Sequence, residues 1–502
     1  MYDVKNWIAG QEADGSGNIQ EIYDPATGSQ VGTLHLGDAS TVDRAVEVAR
    51  EAQQQWGRVS LSKRTQILYR MRQLMVEHTD EIAEVITREH GKTIADAKGE
   101  IARGLETLEF ATSITQDLKG EFSENVSTGV DAHTMRQPLG VVAGITPFNF
   151  PAMVPFWMHP IAIATGNAFI LKPSERDPSA SSIVARLYQE AGLPDGVFQV
   201  VQGGKEVVDA LCGHPGIAAV SFVGSTPIAK HVHDVAAACG KRVQALGGAN
   251  NHAVVMPDAN IEFAAAQIAS GAFGSAGERC MAVPVAVTVG TAHDAFVEAI
   301  KAEAEKLVVG PGSDEGTDMP PVITPDARER VIRMTDEAEQ AGATVVVDGR
   351  GLVVEGHENG NFVGPVVLTD VPRDHDTYTQ EVFGPMLVVM QVNNFDEALE
   401  LVNSSPFGNG TAIFTGSGHY ARRYQEEVQV GMIGINVPIP TPVGYYSFGG
   451  WKDSLFGEYH AHGPEAVRFY TRQKAITTRW PCLLYTSPSP RDATLSRMPS
   501  SA

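Results

Sequence analysis

The stretch LGVVAGITP (139–147) is the first of four short apolar runs, each bounded by Gly or Pro, that determine the fold class. The other three are NAFILKP (167–173), GVFQVVQ (196–202) and AAVSFVGS (218–225). Such runs are typical of buried β-strands. The segments that follow the second and the fourth run, around 179–192 and 226–240, have helical periodicity. Alternating strands and helices predict a parallel sheet covered by helices on both faces.

A second alternating series predicts a second α/β domain farther along the chain. Its strand-like runs are NHAVVM (251–256), AVPVAVTVG (282–290), TVVVDG (344–349), FVGPVVLTDV (362–371) and MLVVMQV (386–392). Helical periodicity occurs near 261–273, 292–307 and 325–341.

The first 120 residues are mainly helical in pattern. A short strand pair is predicted around WIAGQE (7–12) and IYDPATG (22–28). Apolar residues spaced three or four apart then predict a helix that ends near Trp56 and is capped by Asp38 or Ser40. Two further helices are predicted over 62–90 and 95–118.

The charge balance excludes some classes of partner. The 502 residues include 38 Lys and Arg against 60 Asp and Glu, a formal net charge of −22. An acidic field repels phosphate, so we expect no binding to nucleic acid or to an anionic membrane. No apolar run reaches about 18 residues, and MYDVKNWIAG (1–10) shows no targeting pattern, so we expect a cytoplasmic protein.

The cysteines and histidines show no spacing typical of metal sites or disulfides. Cys212, Cys239, Cys280 and Cys482 lie far apart, and the 15 histidines are scattered, so we expect no metal. Residues 482–502 are rich in Ser, Pro, Thr and Arg, and we expect them to form a disordered tail without function.

Cys280, in GSAGERCMA (274–282), is a candidate nucleophile. A thiolate is strongly nucleophilic, and a neighbouring cation such as Arg279 or backbone amides lower the pKa of a thiol. The alternative is a small buried apolar residue, which is the usual state of a lone cysteine.

Asn149 follows a buried strand in ITPFNFP (145–151). A side-chain amide held there would donate to the oxyanion that forms when a thiolate attacks a carbonyl group. The alternative is a turn-forming Asn, which is common at strand ends.

LKPSE (171–175) places Lys172 and Glu175 at the end of the next strand. Nucleotides bind at the carboxyl edge of parallel sheets, where Lys and Glu can hydrogen-bond ribose hydroxyls. Glu175 would also repel a 2′-phosphate, which favours NAD over NADP. The alternative is a solvated turn between strand and helix.

FVGSTPIA (222–229) leads from a strand through Gly224 and Ser225 into a helix. Backbone amides at such a helix start can bind a pyrophosphate, although a simple Ser/Thr cap is the alternative. EVFGP (381–385) offers Glu381 and Phe383 in a turn between strands, or an ordinary Gly-Pro loop.

Seven motifs, taken in chain order, resemble the NAD(P)-dependent aldehyde dehydrogenase superfamily over residues 1–481. They are ITPFNFP, LKPSE, FVGST, LGG (246–248), GERCMA (277–282), EVFGP and GGWKDSLFG (449–457). The resemblance implies an α/β fold with two Rossmann-like parallel-sheet domains and a small β oligomerisation element, assembled as a homotetramer. The implied parts are an NAD-binding domain (1–120 and 139–247), a catalytic domain (248–457) and the oligomerisation element (121–138 and 458–481).

The same resemblance implies a role for each motif residue. Cys280 matches the nucleophile, and Asn149 together with the Cys280 N–H matches the oxyanion donors. The positions that match NAD contacts are Thr146, Phe148, Lys172, Glu175, Gly224, Ser225, Glu381 and Phe383.

Ala245, in VQALGGANNH (243–252), departs from the pattern of the hydrolytic members. Those members carry there the glutamate that activates water. A methyl group accepts no proton, whereas a thiol nucleophile needs less help than water does. We therefore expect coenzyme A to receive the acyl group.

FNFP (148–151), NHAVVMPDAN (251–260), GERCMA and VRFYTRQKAITTRW (467–480) resemble the CoA-acylating methylmalonate-semialdehyde, or malonate-semialdehyde, dehydrogenases. That group holds the substrate carboxylate with two arginines, which match Arg103 and Arg279. An Arg fork pairs well with a planar carboxylate. Arg103 is otherwise a helix-surface charge, and Arg279 also suits lowering the pKa of the Cys280 thiol.

Two departures affect the expected pocket. Asn250 stands in GANN (248–251) where the family usually has Lys, and the shape contributed by VPIPTPVGYYSF (437–448) does not follow from the sequence. The alternatives are a hydrolytic aldehyde dehydrogenase that uses another base and a non-catalytic protein on the same fold.

Overall fold

A computed structural model describes residues 1–480 of the chain, and the predicted tail (482–502) lies outside them. The helices are α1 Ala39–Trp56, α2 Leu61–Glu77, α3 Thr79–His90, α4 Ile94–Thr112, α5 Met153–Ala164, α6 Ser179–Glu190, α7 Lys205–Gly213, α8 Thr226–Ala238, α9 Ile261–Phe273, α10 His293–Glu305, α11 Pro325–Gln340, α12 Asp376–Thr379, α13 Phe395–Ser404, α14 Gly418–Glu427 and α15 Gly463–Phe469.

The strands of the first half are short, at most nine residues long. They are β1 Tyr2–Val4, β2 Asn6–Ile8, β3 Gln11–Ala13, β4 Ile19–Tyr23, β5 Gln30–His35, β6 Phe122–Ser127, β7 Val130–Pro138, β8 Val141–Ile145, β9 Ala168–Lys172, β10 Phe198–Val200, β11 Ile217–Val223 and β12 Arg242–Leu246. The remaining strands are β13 His252–Val255, β14 Val285–Val289, β15 Thr344–Val347, β16 Val366–Thr369, β17 Met386–Val392, β18 Phe407–Gly408, β19 Gly410–Phe414, β20 Met432–Ile435, β21 Trp451–Lys452, β22 Leu455–Phe456 and β23 Thr471–Thr478.

The first large sheet has eight strands in the order β22-β12-β11-β8-β9-β10-β2-β3. Its five central strands are parallel, and β22 and β2 pair antiparallel at the two sides. Every residue of β8 and β9 is buried, which explains their continuous apolar runs. The strand β22 comes from the range expected for the catalytic domain and pairs with β12.

The second large sheet has seven strands in the order β15-β16-β17-β14-β13-β19-β20. All its pairs are parallel except β15 with β16. Its strands β19 and β20 were not predicted from the sequence. The two parallel sheets confirm the predicted α/β class.

A three-stranded antiparallel sheet, β23-β7-β6, joins the two segments in which the oligomerisation element was predicted. The whole of β6 is exposed, and Phe122 and Val126 point apolar side chains into solvent. This sheet therefore presents an apolar surface that the rest of the described chain leaves uncovered.

The predicted pairing of WIAGQE with IYDPATG was wrong. Ala9 and Gly10 adopt positive φ angles of 54° and 78°, the geometry of a tight hairpin turn, so β2 pairs with β3. IYDPATG instead contributes to β4, which pairs with β5 in a separate sheet with β1.

Two predicted helix boundaries also differ from the structure. The helix predicted over 62–90 is interrupted at His78, whose backbone leaves the helical region between α2 and α3. The helix predicted to reach 118 ends at Thr112 and continues as turns. The Asp38 cap of α1 is confirmed: its Oδ1 accepts the Thr41 N–H at 3.0 Å.

Among residues 1–480, no helix combines the length and the apolar character needed to cross a membrane.

Candidate active site

One cavity of about 890 Å³ brings together most of the predicted site residues. It lies at the carboxyl ends of β8, β9, β11 and β12, the edge at which open parallel sheets bind ligands. The predicted residues on its wall are Thr146, Phe148, Asn149, Lys172, Glu175, Gly224, Ser225, Cys280, Glu381 and Phe383. Arg103 and Arg279 are not among the residues that line it.

One end of the cavity holds a charged pair. Lys172 is buried, and its Nζ lies 2.8 Å from Oε2 of Glu175. Burial alone raises the pKa of the Glu175 carboxyl, but the charge and hydrogen bond of Lys172 more than offset it, so the pKa is lowered. Glu175 is therefore ionised at neutral pH, and the pair offers a donor and an acceptor to vicinal hydroxyl groups.

The start of α8 forms the middle of the cavity wall. Ser225 is the N-cap of this helix, yet its hydroxyl makes no capping bond, and the Thr226 Oγ1 accepts the Gly248 N–H at 2.9 Å. A Cβ added to Gly248 would lie 2.4 Å from Glu381, so a larger residue there would displace that carboxylate. Pro227 has no N–H, and the N–H groups of Ile228 and Ala229 bond the Ser225 carbonyl oxygen, so the amides of Ser225 and Thr226 are those that suit a pyrophosphate.

The Thr146 hydroxyl gives a second sign of a polar ligand. Its Oγ1 is buried, lies on the cavity wall and has no hydrogen-bond partner among the described residues. Together with the charged pair and the open helix start, it shows that the residues present fit a dinucleotide.

A strained turn carries Cys280, the predicted nucleophile. Ser275, Ala276 and Gly277 have φ angles of 50°, 51° and 72°, a rare left-handed run for non-glycine residues. A Cβ on Gly277 would lie 2.2 Å from the Gly384 carbonyl oxygen, so the turn requires glycine at this position. The GERC and EVFGP segments are therefore packed directly against each other.

Two asparagines, which the sequence did not indicate, hold the Cys280 backbone. The Cys280 carbonyl oxygen accepts hydrogen bonds from Nδ2 of Asn251 at 3.0 Å and from Nδ2 of Asn409 at 3.1 Å. Asn250, the departure noted in GANN, instead donates to the Tyr378 carbonyl oxygen at 2.6 Å.

The Cys280 thiol lies on the same cavity wall as Glu278 and Glu381. Burial raises its pKa to about 12, and the charge of Glu381 acts in the same direction. Arg279 and the backbone N–H groups of Cys280 and Met281 lower it by less. The thiol is therefore neutral in the unliganded protein, and its reaction requires a proton acceptor.

A buried ion pair fixes the loop that carries Asn149. The Lys92 ammonium and the Glu100 carboxylate are both fully buried and bonded to each other. Lys92 Nζ also donates to the Asn149 carbonyl oxygen at 2.6 Å, and Glu100 accepts the Ala152 N–H at 2.9 Å. The Asn149 side-chain amide has no partner among residues 1–480 and remains available to an oxyanion.

Glu381 closes the cavity beside the thiol. Burial raises the pKa of its carboxyl to about 7, although its Oε1 accepts the Ala249 N–H at 3.0 Å. Phe383 follows with a φ of 52°, and its ring meets that of Phe148 edge to face at 5.7 Å. The EVFGP turn thus completes the wall between the two sheets.

The two predicted substrate arginines both lie along α4. Arg279 donates to Asp96 Oδ1 at 2.8 Å, in the first turn of that helix. Arg103 lies seven residues farther on the same helix face, where it donates to Glu106 at 3.0 Å and to the Thr441 carbonyl oxygen at 3.3 Å. Each arginine therefore already has a carboxylate partner.

The paired histidines of α8 do not form a metal site. His231 Nε2 lies 2.8 Å from Asp209 Oδ1 at the cavity wall, whereas His233 contacts Asp234. Within residues 1–480, no three His, Cys, Asp or Glu side chains are grouped so that they could hold a metal ion.

Comparison with known proteins gives matches over almost the whole chain. The model of the aldehyde dehydrogenase family matches residues 11–476. A malonate-semialdehyde dehydrogenase from Pseudomonas aeruginosa is 50% identical over 96% of this chain and 97% of its own. A second relative of that name, from Geobacillus kaustophilus, is 44% identical over 96% of this chain and 99% of its own.

Solved structures agree with these matches. The methylmalonate-semialdehyde dehydrogenase DddC from Oceanimonas doudoroffii has a TM-score of 0.96 and 50% identity, over 97% of this chain and all (100%) of its own. A Sinorhizobium meliloti protein solved in complex with NAD has a TM-score of 0.95 and 48% identity, over 97% of this chain and 99% of its own.

Proposed function

The chain belongs to the aldehyde dehydrogenase family, and from that premise we propose that it oxidises malonate semialdehyde, methylmalonate semialdehyde or both with NAD. Carbon dioxide is lost and the acyl group is transferred to coenzyme A, giving acetyl-CoA or propionyl-CoA. The names and identities of the relatives support this activity. The observation that carries the choice of acyl acceptor is Ala245, which is fully buried in the apolar core and offers no base for water.

The residues of the cavity suggest the order of bond changes. The Cys280 sulfur attacks the aldehyde carbon, and the Asn149 amide and the Cys280 N–H donate to the oxyanion. Bound NAD supplies the hydride acceptor, and a thioester on Cys280 results. The substrate carboxylate, β to the thioester carbonyl, can then leave as carbon dioxide because the thioester accepts the electron pair, and the remaining enolate takes up a proton from solvent at the carbon that lost the carboxylate. Coenzyme A finally displaces Cys280.

The cofactor contacts are assigned to the two halves of the cavity wall. We assign Lys172 and Glu175 to the adenine-side ribose, Ser225 with Gly224 to the pyrophosphate, and Glu381 with Phe383 to the nicotinamide side. Thr146 and Phe148 lie between these groups on the same wall. We assign residues 1–120 and 139–247 to the NAD-binding domain and 248–457 to the catalytic domain, and both contribute residues to the cavity.

Arg103 and Arg279 are assigned to the substrate carboxylate. Arg103 lies on α4, Arg279 contacts Asp96 two turns away on the same face of that helix, and the present partners, Glu106 and Asp96, would have to exchange for the carboxylate. The substitution Arg103→Leu should then reduce kcat/KM for the semialdehyde at least tenfold more than for propanal, which has no carboxylate. Equal losses on both substrates would remove the arginine from substrate binding.

The assembly proposed is a cytoplasmic homotetramer. The uncovered apolar side chains of the β23-β7-β6 sheet, Phe122, Val126 and Met135, support an interface there. The free cysteines of the described chain fit a reducing compartment. Sedimentation of the purified protein measures the assembly, and a monomer would contradict it.

The decisive experiment is an NADH assay on both semialdehydes with and without coenzyme A. We expect steady turnover with coenzyme A, and without it a single burst of NADH that then stalls because the thioester accumulates. Sustained turnover without coenzyme A would establish hydrolysis instead. The relative rates on the two semialdehydes give the substrate preference.

A further inference from the structure

Glu278, two residues before the nucleophile, is a carboxyl group in the cavity that the steps above leave unused. Its side chain has no exposed surface to bulk solvent (0%) and lies on the same wall as Cys280. One oxygen, Oε2, accepts the Ile323 N–H at 3.1 Å. The other, Oε1, is buried and has no partner among the described residues. A buried carboxyl oxygen without a partner in a reactive cavity is available for proton transfer.

The surroundings of Glu278 leave it unpaired. Burial raises the pKa of its carboxyl to about 8, and the positive charges that face it, Arg330 on α11, Arg176 after β9 and Lys92 before α4, lower it by less. Lys92 is bonded to Glu100, so its charge is already compensated. A proton acceptor works best when its pKa is near the working pH.

Arg330, a positive charge that faces Glu278, is hydrogen-bonded to the EVFGP loop (381–385). Arg330 donates through Nε to the Val382 carbonyl oxygen at 2.9 Å and through Nη2 to the Phe383 carbonyl oxygen at 3.0 Å. The arginine therefore holds the EVFGP turn and acts on Glu278 through its charge, without an ion pair between the two among the described residues.

Glu381, the other carboxyl beside the thiol, is already hydrogen-bonded to the backbone. Glu381 accepts the Ala249 N–H through Oε1, and its Oε2 would lie 2.4 Å from a Cβ added to Gly248. Its position fixes the backbone that leads from the first sheet into the second. Glu278 is thus the carboxyl of this end of the cavity with an uncommitted buried oxygen.

We propose that Glu278 is the proton acceptor for the attacking thiol of coenzyme A, a role that rests on the function proposed above. As the coenzyme A sulfur bonds to the thioester carbon, its proton passes to Oε1 of Glu278. The tetrahedral intermediate then collapses, the bond to the Cys280 sulfur breaks, and the proton returns from Glu278 to that sulfur. No proton is gained or lost overall, and both residues return to their starting state.

This assignment connects Ala245 with the choice of acceptor. The free thiol has a pKa of about 8.5, close to that of Glu278, whereas the pKa of water is about 15.7. Proton transfer from the thiol to Glu278 therefore costs little free energy. A carboxyl adjacent to Cys280 thus serves thiol transfer without a base at position 245.

The test separates the two half-reactions by stopped flow. The variant Glu278→Gln keeps the acceptor for the Ile323 N–H and removes the carboxyl oxygen that would take up the proton. With semialdehyde and NAD alone, we expect an NADH burst within twofold of that of the unmodified protein. When coenzyme A is then added at pH 7, we expect thioester cleavage to be slower by about 100-fold. The difference should shrink towards pH 9, because the coenzyme A thiolate then forms without help.

Two further variants make the outcome specific. Glu278→Asp keeps a carboxyl and should recover part of the cleavage rate. Glu89→Gln, which neutralises another fully buried carboxyl that does not line the cavity, should change neither phase. Unchanged cleavage in Glu278→Gln, or an equal loss in both phases, would overturn the proposal. Steady turnover of the unmodified protein without coenzyme A would instead refute the proposed function itself.

Discussion

The two ends of the cavity use the same residue type in opposite ways. At the nucleotide end, Glu175 is paired with Lys172 and the pKa of its carboxyl is lowered. At the thiol end, Glu278 and Glu381 have no paired cation, and burial raises their pKa values to about 8 and 7. A bonded lysine and a side chain that is 38% exposed keep Glu175 a fixed charge, whereas complete burial without a bonded cation makes Glu278 a group that exchanges protons near neutral pH.

The largest expected effect tests whether the thiol end performs the chemistry. The substitution Cys280→Ala removes the nucleophile, so NADH formation from either semialdehyde should fall to background while NAD still binds, as measured by fluorescence quenching. Cys239→Ala, at an exposed cysteine, is the matched control and should leave the rate unchanged. If Cys280→Ala formed NADH at a rate comparable to that of the unmodified protein, the thiol end of the cavity would not be where the chemistry occurs.

The next effect concerns the oxyanion donor. The substitution Asn149→Ala removes the free side-chain amide but keeps the backbone carbonyl that Lys92 binds, so the loop should stay in place. We expect the rate constant of the NADH burst to fall by about 100- to 1,000-fold, with little change in the affinity for NAD. A change in NAD affinity with an unchanged burst would move Asn149 to the nucleotide end.

A stability effect follows from the buried pair beneath that loop. Lys92→Met leaves the Glu100 charge buried without its partner, which we expect to cost about 3–5 kcal/mol of unfolding free energy. Thermal unfolding followed by circular dichroism measures the loss. The double variant Lys92→Met with Glu100→Gln removes both charges and should recover most of it. If the double variant were no more stable, the ion pair would not be the cause.

The sequence predicted those parts of the site that local motifs carry. Cys280, Asn149 and Lys172 follow strands or turns whose residue types are informative by themselves, and the structure places all three on one cavity wall. It could not predict that Lys92 contacts the backbone of Asn149, because 57 residues separate them and only the tertiary fold brings them together. The unpaired state of Glu278 likewise depends on where Arg330 is held, by a loop that follows it in the chain.

The fold, like the site, was predicted where local sequence patterns determine it and missed where backbone geometry does. The apolar runs of β8 and β9 were sufficient to predict a parallel sheet because both strands are wholly buried. The pairing of β2 was missed because it depends on a two-residue turn at Ala9 and Gly10, where the positive φ of a non-glycine residue is not apparent from composition.

The smallest predicted effects are shifts in Tm, which have opposite signs for Glu278 and Glu175. The folded protein favours protonated Glu278, so the stability contributed by this group falls as pH rises from the unfolded value of 4.5 to about 8. Glu278→Gln should therefore raise Tm at pH 8 by about 5 °C and by much less at pH 5.

For Glu175 the pKa is lowered in the folded state, so its contribution to stability is present above pH 4.5 and is lost as pH falls. Glu175→Gln should accordingly lower Tm by about 1 °C at both pH 8 and pH 5, and the difference should narrow only below about pH 4.5. Differential scanning fluorimetry of both variants from pH 5 to pH 8 measures the two signs together. If both substitutions shifted Tm in the same direction, the lysine beside Glu175 would not be what distinguishes the two ends of the cavity.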